Sequence, residues 1–244
     1  MTQPLYDRIG VGYAAHRRPD PRIAARITEA LGGARTVVNV GAGAGSYEPA
    51  GRRVAAVEPS AEMVRQRPPG SAPALRASAG DLPFGDGAFD AALAVLTLHH
   101  WPDWRRGLAE MRRVARGPVV VLTWDPAHPG FWLVQEYFPE ILAADLVVFP
   151  TMDEIGRVLG PVDARPVPLP PDCADGFLGA YWRRPHAYLD PGRRRAISAF
   201  AKLDDAAPGL ARLRADLADG SWARRHARLL HLPELDLGYR LVIA

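Results

Sequence analysis

The stretch from Val37 to Tyr47, VVNVGAGAGSY, constrains the fold of this chain more than any other. A β-branched run that ends in glycines reads as a buried strand entering a tight turn. Branched side chains suit a packed, pleated surface, and glycine takes up the turn's backbone conformations without steric cost. Gly41, Gly43 and Gly45 would let the main chain approach a ligand closely, as in the first βα turn of a nucleotide-binding sheet. The pattern alone leaves open NAD, FAD or a purely structural turn. Ser46 stands where the third glycine of G-x-G-x-x-G would be, which favours G-x-G-x-G over the dinucleotide fingerprint.

Around this stretch, apolar runs alternate with helical patterns, as expected of parallel βαβ units. A helix starts at Asp20 and Pro21, a capping residue and a first-turn proline, and runs through Ile23, Ile27 and Leu31 to Gly32 and Gly33. Strands are expected at Thr36 to Val40, Val54 to Val57, Ala74 to Ala77, Ala88 to Leu96, Val119 to Leu122, within Gly160 to Pro170 and within Asp236 to Ile243. A helix from Asp103 to Val114 precedes the fifth. The predicted class is α/β: a Rossmann-like, mostly parallel seven-stranded sheet with helices on both faces, an antiparallel last strand and a helical insertion. One domain takes in 1–244, with an N-terminal cap and first helix in 1–32, a cofactor-binding core in 33–124, cover in 125–150 and 172–232, and the last strand in 233–244.

Composition excludes several classes. The net charge is +3, and nearly every basic residue is Arg, Lys202 being the lone lysine. The arginine groups Arg193 to Arg195 and Arg224, Arg225 and Arg228 sit beside acids in helical-looking segments, so they read as solvated faces rather than a nucleic-acid surface. No apolar run approaches the roughly 18 residues that span a bilayer, and the start MTQPLYDRIG has neither the basic nor the apolar region of a leader. A cytoplasmic chain, monomeric or homodimeric, without membrane or nucleic-acid partners is expected. The single Cys173 fits a reducing compartment and reads as a packing residue. Asp172, Cys173 and Asp175 read as turn and cap residues, with no metal expected.

Past the second strand, Glu58 in VAAVEPS is placed to accept hydrogen bonds from both hydroxyls of a ribose, or else to favour a helix N-terminus. DLPFGDGAFD and AALAVLTLHHW follow. Gly41 to Gly45, Glu58, Leu82 to Phe84, Phe89 with Asp90, and Leu98 to His100 in this order resemble the UbiE-like, type 11 branch of the class I S-adenosylmethionine-dependent methyltransferases. The resemblance is close over residues 6–124 and fades beyond.

The resemblance implies S-adenosylmethionine as cofactor, with Gly41, Ala42 and Gly43 against its methionine part, Glu58 at the ribose and Met63 on the adenine, and with Gly45 and Pro59 among the cofactor-binding residues. It also implies Ser78 and Ala79 at the adenine edge and Leu96 at the end of the fourth strand. Tyr13, Arg17 and Arg18 resemble an entry segment in which the tyrosine closes the site and an arginine meets the cofactor carboxylate. The family usually has Asp where this chain has Asn39, which removes a negative charge near the cofactor ammonium.

Methyl transfer from a sulfonium asks the protein to align donor and nucleophile and exclude water. His99 and His100, at the carboxyl end of the fourth strand, read as proton acceptors or as strand caps. The aromatics Trp132, Tyr137, Phe177 and Tyr181 fall in the cover segments and read as a pocket for a small aromatic or hydrophobic acceptor, or as lid packing. Two alternatives stay open: a protein of this fold that binds the cofactor without methyl transfer, and an NAD(P)-dependent reductase, though no Tyr-x-x-x-Lys pair is present.

Overall fold

The computed structural model describes residues 5–244, so the first four positions of MTQPLYDRIG lie outside the described residues. Seven strands form one sheet: β1 (Thr36–Val40), β2 (Arg53–Val57), β3 (Ala74–Leu75), β4 (Ala91–Val95), β5 (Val119–Trp124), β6 (Asp163–Pro166) and β7 (Tyr239–Ile243), in the order β3-β2-β1-β4-β5-β7-β6. The pairs from β3 to β5 are parallel, in the register Val38↔Ala55, Val38↔Ala92 and Leu93↔Val120. β7 runs antiparallel between β5 and β6, with Val121 opposite Val242 and Ala164 opposite Val242 on its other edge. The expected Rossmann-like class, with its antiparallel last strand, is the fold observed.

Strand side chains alternate between two buried layers, as a period of two requires. Val37, Leu93, Val120 and Leu122 face one layer; Val38, Val40, Ala92, Ala94, Val119 and Val121 face the other. The helices are α1 (Tyr6–Ile9), α2 (Tyr13–His16), α3 (Pro21–Ala30), α4 (Ala61–Arg65), α5 (Trp104–Val114), α6 (Pro139–Val148), α7 (Met152–Leu159), α8 (Pro191–Arg195), α9 (Ser198–Ala201), α10 (Ala207–Ala218) and α11 (Ser221–Arg225). α3 buries Ile23 and Ile27 in the first layer, α5 buries Leu108 and Met111 in the second, and Ile155 of α7 joins it. Asp20 caps α3 by accepting the Arg22 N–H, and Asp103 caps α5 by accepting that of Arg106.

Strand limits differ from the sequence reading at β2, which starts one residue earlier at Arg53, at β3, at both ends of β4, which stops at Val95, and at the end of β5. β4 begins at Ala91 because the Asp90 carboxylate accepts the N–H groups of Arg35 and Thr36 at 2.8 and 2.9 Å, which fixes the strand's entry. Those bonds and the Arg116 guanidinium hold its carboxyl well below the usual range. β3 is two residues long, and β5 extends to Trp124, whose indole N–H reaches the Leu237 carbonyl beside β7. The 172–232 segment is a set of short helical turns and one longer helix, α10, packed on the first layer. No helix among the described residues is long and apolar enough to cross a membrane.

Candidate active site

The carboxyl ends of β1, β2, β3 and β4 open onto one cleft of about 960 Å³, where open α/β sheets bind ligands. Gly41 starts the turn at φ +69°, and a Cβ there would lie 2.2 Å from Thr97 Oγ1. The Gly41 and Ala42 N–H groups both donate to the Val57 carbonyl at 2.8 and 3.0 Å, which pins the turn to β2. Gly43 donates its N–H to Glu58 Oε2 at 2.8 Å, and Ser60 donates to Glu58 Oε1 at 2.9 Å. Glu58 is therefore aimed by the turn and by the start of α4. Burial raises its pKa, against the two N–H donors that lower it.

The same cleft is lined by Pro59, Met63, Ser78, Leu96 and Tyr13, with Arg17 at its inner end. Leu96 holds φ +52°, a left-handed conformation that costs a branched residue about 1–2 kcal/mol. Its N–H bonds the Leu122 carbonyl at 2.7 Å, so the sheet holds this strained corner at the bottom of the site. Asn39, buried on the floor of the cleft, has an amide nitrogen without a partner among the described residues.

Beyond Leu96 lies a second, small cavity of about 50 Å³. Tyr6, Arg17, Leu96 and His100 line both spaces and so form their common wall. The far walls are Trp124, Phe149, Phe177 and Tyr239, with Asp145, Ser198 and Lys202 among them. His100 Nε2 lies 3.1 Å from the Tyr6 hydroxyl. Burial, together with the cations Lys202 and Arg17, lowers the His100 pKa to about 3, so the ring is neutral and its Nε2 is engaged with the Tyr6 hydroxyl. His99 stacks on Phe149 at 4.1 Å and is also held neutral by burial; its Nδ1 has no partner among the described residues.

Several expected site residues lie elsewhere. Arg18 is exposed, because the chain turns outward before Pro19. Gly45 lies outside the cleft lining and packs toward the Arg67 guanidinium, so its φ of +90° serves the turn. Ala79 is buried against α5 in the second layer, and Ala77 lines the cleft in its place. Arg17 gives its Nε to Asp175 Oδ1 at 2.6 Å, so its charge is already matched; Asp175 is fully buried in a bend, where it also accepts the Gly176 N–H.

Of the four aromatics, Phe177 alone lines the inner cavity. Trp132 is 2% exposed, its indole N–H bonded to the Trp182 carbonyl at 2.9 Å and its ring edge-on to Trp222. The Tyr137 hydroxyl donates to Asp216 at 2.6 Å, and Tyr181 lies beneath the guanidinium groups of Arg184 and Arg193. These three are the packing of the cover. Tyr6, Asp145, Phe149 and Lys202 were not named as site residues from the sequence. Phe149 and Asp145 share the inward face of α6 with Ile141 at a spacing of four, a signal readable only once that face is known.

A methyltransferase-domain family model matches residues 38–121. The solved structure of a protein described as a methyltransferase from an antibiotic biosynthesis pathway of Anabaena variabilis superposes with TM-score 0.87 at 35% identity, covering 94% of this chain and 98% of that one. An uncharacterized methyltransferase of Mycobacterium sp. (strain JLS) is 39% identical over 105 residues, 40% of this chain and 41% of the relative. The 2-methyl-6-phytyl-1,4-hydroquinone methyltransferase 2 of Oryza sativa is 39% identical over 59 residues, 24% and 17% of the two chains. The matches thus span less than half the length of these curated relatives. The likeness to the Anabaena protein runs through core and cover alike, and on that ground the chain belongs to the S-adenosylmethionine-dependent methyltransferases.

Proposed function

We propose that this protein transfers a methyl group from S-adenosylmethionine to a small molecule whose reacting end enters the inner cavity. The observation that carries the proposal is the common wall: Tyr6, Arg17, Leu96 and His100 separate, and would align, a cofactor-sized cleft and a small apolar chamber. The chamber's volume, about 50 Å³, suits a small acceptor group and not a nucleic acid or a folded protein.

The residues present fit the cofactor. Gly41 leaves a cradle that a Cβ would fill, Glu58 turns a fixed carboxylate to the cleft, and the unpaired Asn39 amide offers a donor on its floor. Glu58 would hold the ribose hydroxyls, Met63 and Ser78 the adenine, and the Gly41 to Gly43 turn the amino-acid part. When bound, S-adenosylmethionine supplies an electrophilic methyl carbon on a sulfonium. Leu96, held at the end of β4, fixes the floor on which donor and acceptor meet, and the Tyr6 and Tyr13 rings of the N-terminal segment exclude water from it.

His100 is a weak base with a pKa near 3 and an engaged Nε2, so its role is to position Tyr6 rather than to take a proton. Trp124, Phe149, Phe177 and Tyr239 favour a flat or hydrophobic acceptor, in keeping with the resemblance to the UbiE-like branch. Incubation of the purified protein with methyl-labelled S-adenosylmethionine and a panel of small phenols, amines and apolar ring compounds tests the reading. Label in a small-molecule product supports it. Cofactor binding without transfer to any class would favour a protein that keeps the fold without the reaction.

A further inference from the structure

The inner cavity holds a buried carboxylate without a structural partner among the described residues. Asp145, on the inward face of α6, is 4% exposed and faces the chamber. Its carboxylate makes no hydrogen bond or ion pair with the described residues; Lys202 lies in the same lining and acts on it at a distance. Burial of an unpaired carboxylate is costly, and a packed core would avoid it with a leucine or asparagine. Facing the same chamber is His99, neutral and with an unpartnered Nδ1. The aromatics Trp124, Phe149, Phe177 and Tyr239 and the aliphatic Leu178 and Ile197 make up much of the remaining wall, with Arg17, Ser198 and Lys202 among them. A largely aromatic and aliphatic chamber with an unpaired carboxylate on its wall is complementary to a flat molecule carrying a donor.

We propose that Asp145 is the specificity-determining residue of the acceptor site, receiving a hydrogen bond from an O–H or N–H group on an otherwise apolar acceptor. This rests on reading the inner cavity as the acceptor's. The carboxylate orients that donor-bearing end within the chamber, and molecules of the same shape without a donor leave the charge unsatisfied and are rejected.

The test uses the full chain saturated with S-adenosylhomocysteine and three probes of similar shape, para-cresol, benzylamine and toluene, titrated at pH 8 while the protein's NMR signals are followed. One polar probe should bind the wild type about tenfold or more tighter than toluene, as expected for a hydrogen bond to a charged group, and which one does so separates a hydroxyl from an amine acceptor. Asp145→Asn should remove that preference, and Asp145→Leu should improve toluene binding, with S-adenosylhomocysteine affinity unchanged in both as the control for folding. Toluene binding as tightly as the polar probes, or a preference that survives in Asp145→Asn, overturns the proposal alone. If none of the three perturbs signals from the chamber, the acceptor reading of the cavity falls and this proposal with it.

Discussion

Arg17 donates to Asp175 across 158 positions of sequence, at 2.6 Å and with both side chains inside the protein, 9% and 0% exposed. The pair ties the N-terminal segment that closes the cleft to the cover that walls the inner cavity. The Tyr47 hydroxyl, from the glycine turn, also donates to Asp175 at 3.1 Å. Three parts of the site thus meet at one carboxylate. Asp175→Ala should cost about 3–5 kcal/mol by leaving Arg17 buried and unpaired, whereas the double change Arg17→Met with Asp175→Leu should cost much less. Urea denaturation of the wild type and the two variants checks this. A loss under about 1 kcal/mol for the single change would mean that water reaches the guanidinium.

Gly41 is where the backbone itself makes the cleft. Gly41→Ala places a methyl carbon 2.2 Å from Thr97 Oγ1 at φ +69°. The left-handed strain alone is worth about 1–2 kcal/mol, and Thr97 must also move. Affinity for S-adenosylhomocysteine should fall by roughly tenfold or more, a loss of about 1.4 kcal/mol or above in calorimetry.

The cover aromatics divide by position. Trp132→Ala should lower stability by about 3–5 kcal/mol, a core truncation, and leave acceptor choice among folded molecules as it was. Phe177→Ala opens the inner cavity and should change acceptor preference at a smaller cost in stability. Denaturation curves set beside relative rates on the acceptor panel would separate the two residues. A shift in preference for Trp132→Ala equal to that for Phe177→Ala would contradict this division.

Asp145 also predicts a pH signature that needs no ligand. Burial raises its pKa from 3.8 to about 6, the Lys202 charge acting the other way; the nearby His99, His100 and Tyr239 are held neutral. A raised folded pKa means that the stabilisation is full below pH 3.8 and is lost as pH rises through about 6. Asp145→Asn should therefore gain up to about 3 kcal/mol over the wild type at pH 8 compared with pH 4. Equal stability of the two proteins at both pH values would show a solvated carboxylate.

Much of the candidate cofactor cleft was legible because it is local. A strand, its terminal glycines and the acid at the next strand's end are set by neighbouring residues, and Gly41, Gly43 and Glu58 fall together in the structure for that reason. The inner cavity was not legible, because α6 has no apolar stripe. Leu146 and Val147 on its outer side are 51% and 84% exposed, while Asp145 on the inner side is buried. Hydrophobic periodicity would turn this helix the wrong way. Trp132 and Tyr137 announced an aromatic cover but not which side chains face the site, since that depends on contacts with residues 50 and 79 positions away.

The most direct test of the account is a calorimetric titration of the wild type and of Glu58→Ala with S-adenosylhomocysteine and with NADH. The wild type should bind S-adenosylhomocysteine in the micromolar range and NADH not measurably. Glu58→Ala, still folded by circular dichroism, should lose about 2–4 kcal/mol, because ribose hydroxyls and the Gly43 N–H lose a charged acceptor. Saturable NADH binding without S-adenosylhomocysteine binding, or a Glu58→Ala variant within about threefold of wild type, a difference of about 0.6 kcal/mol, would contradict it.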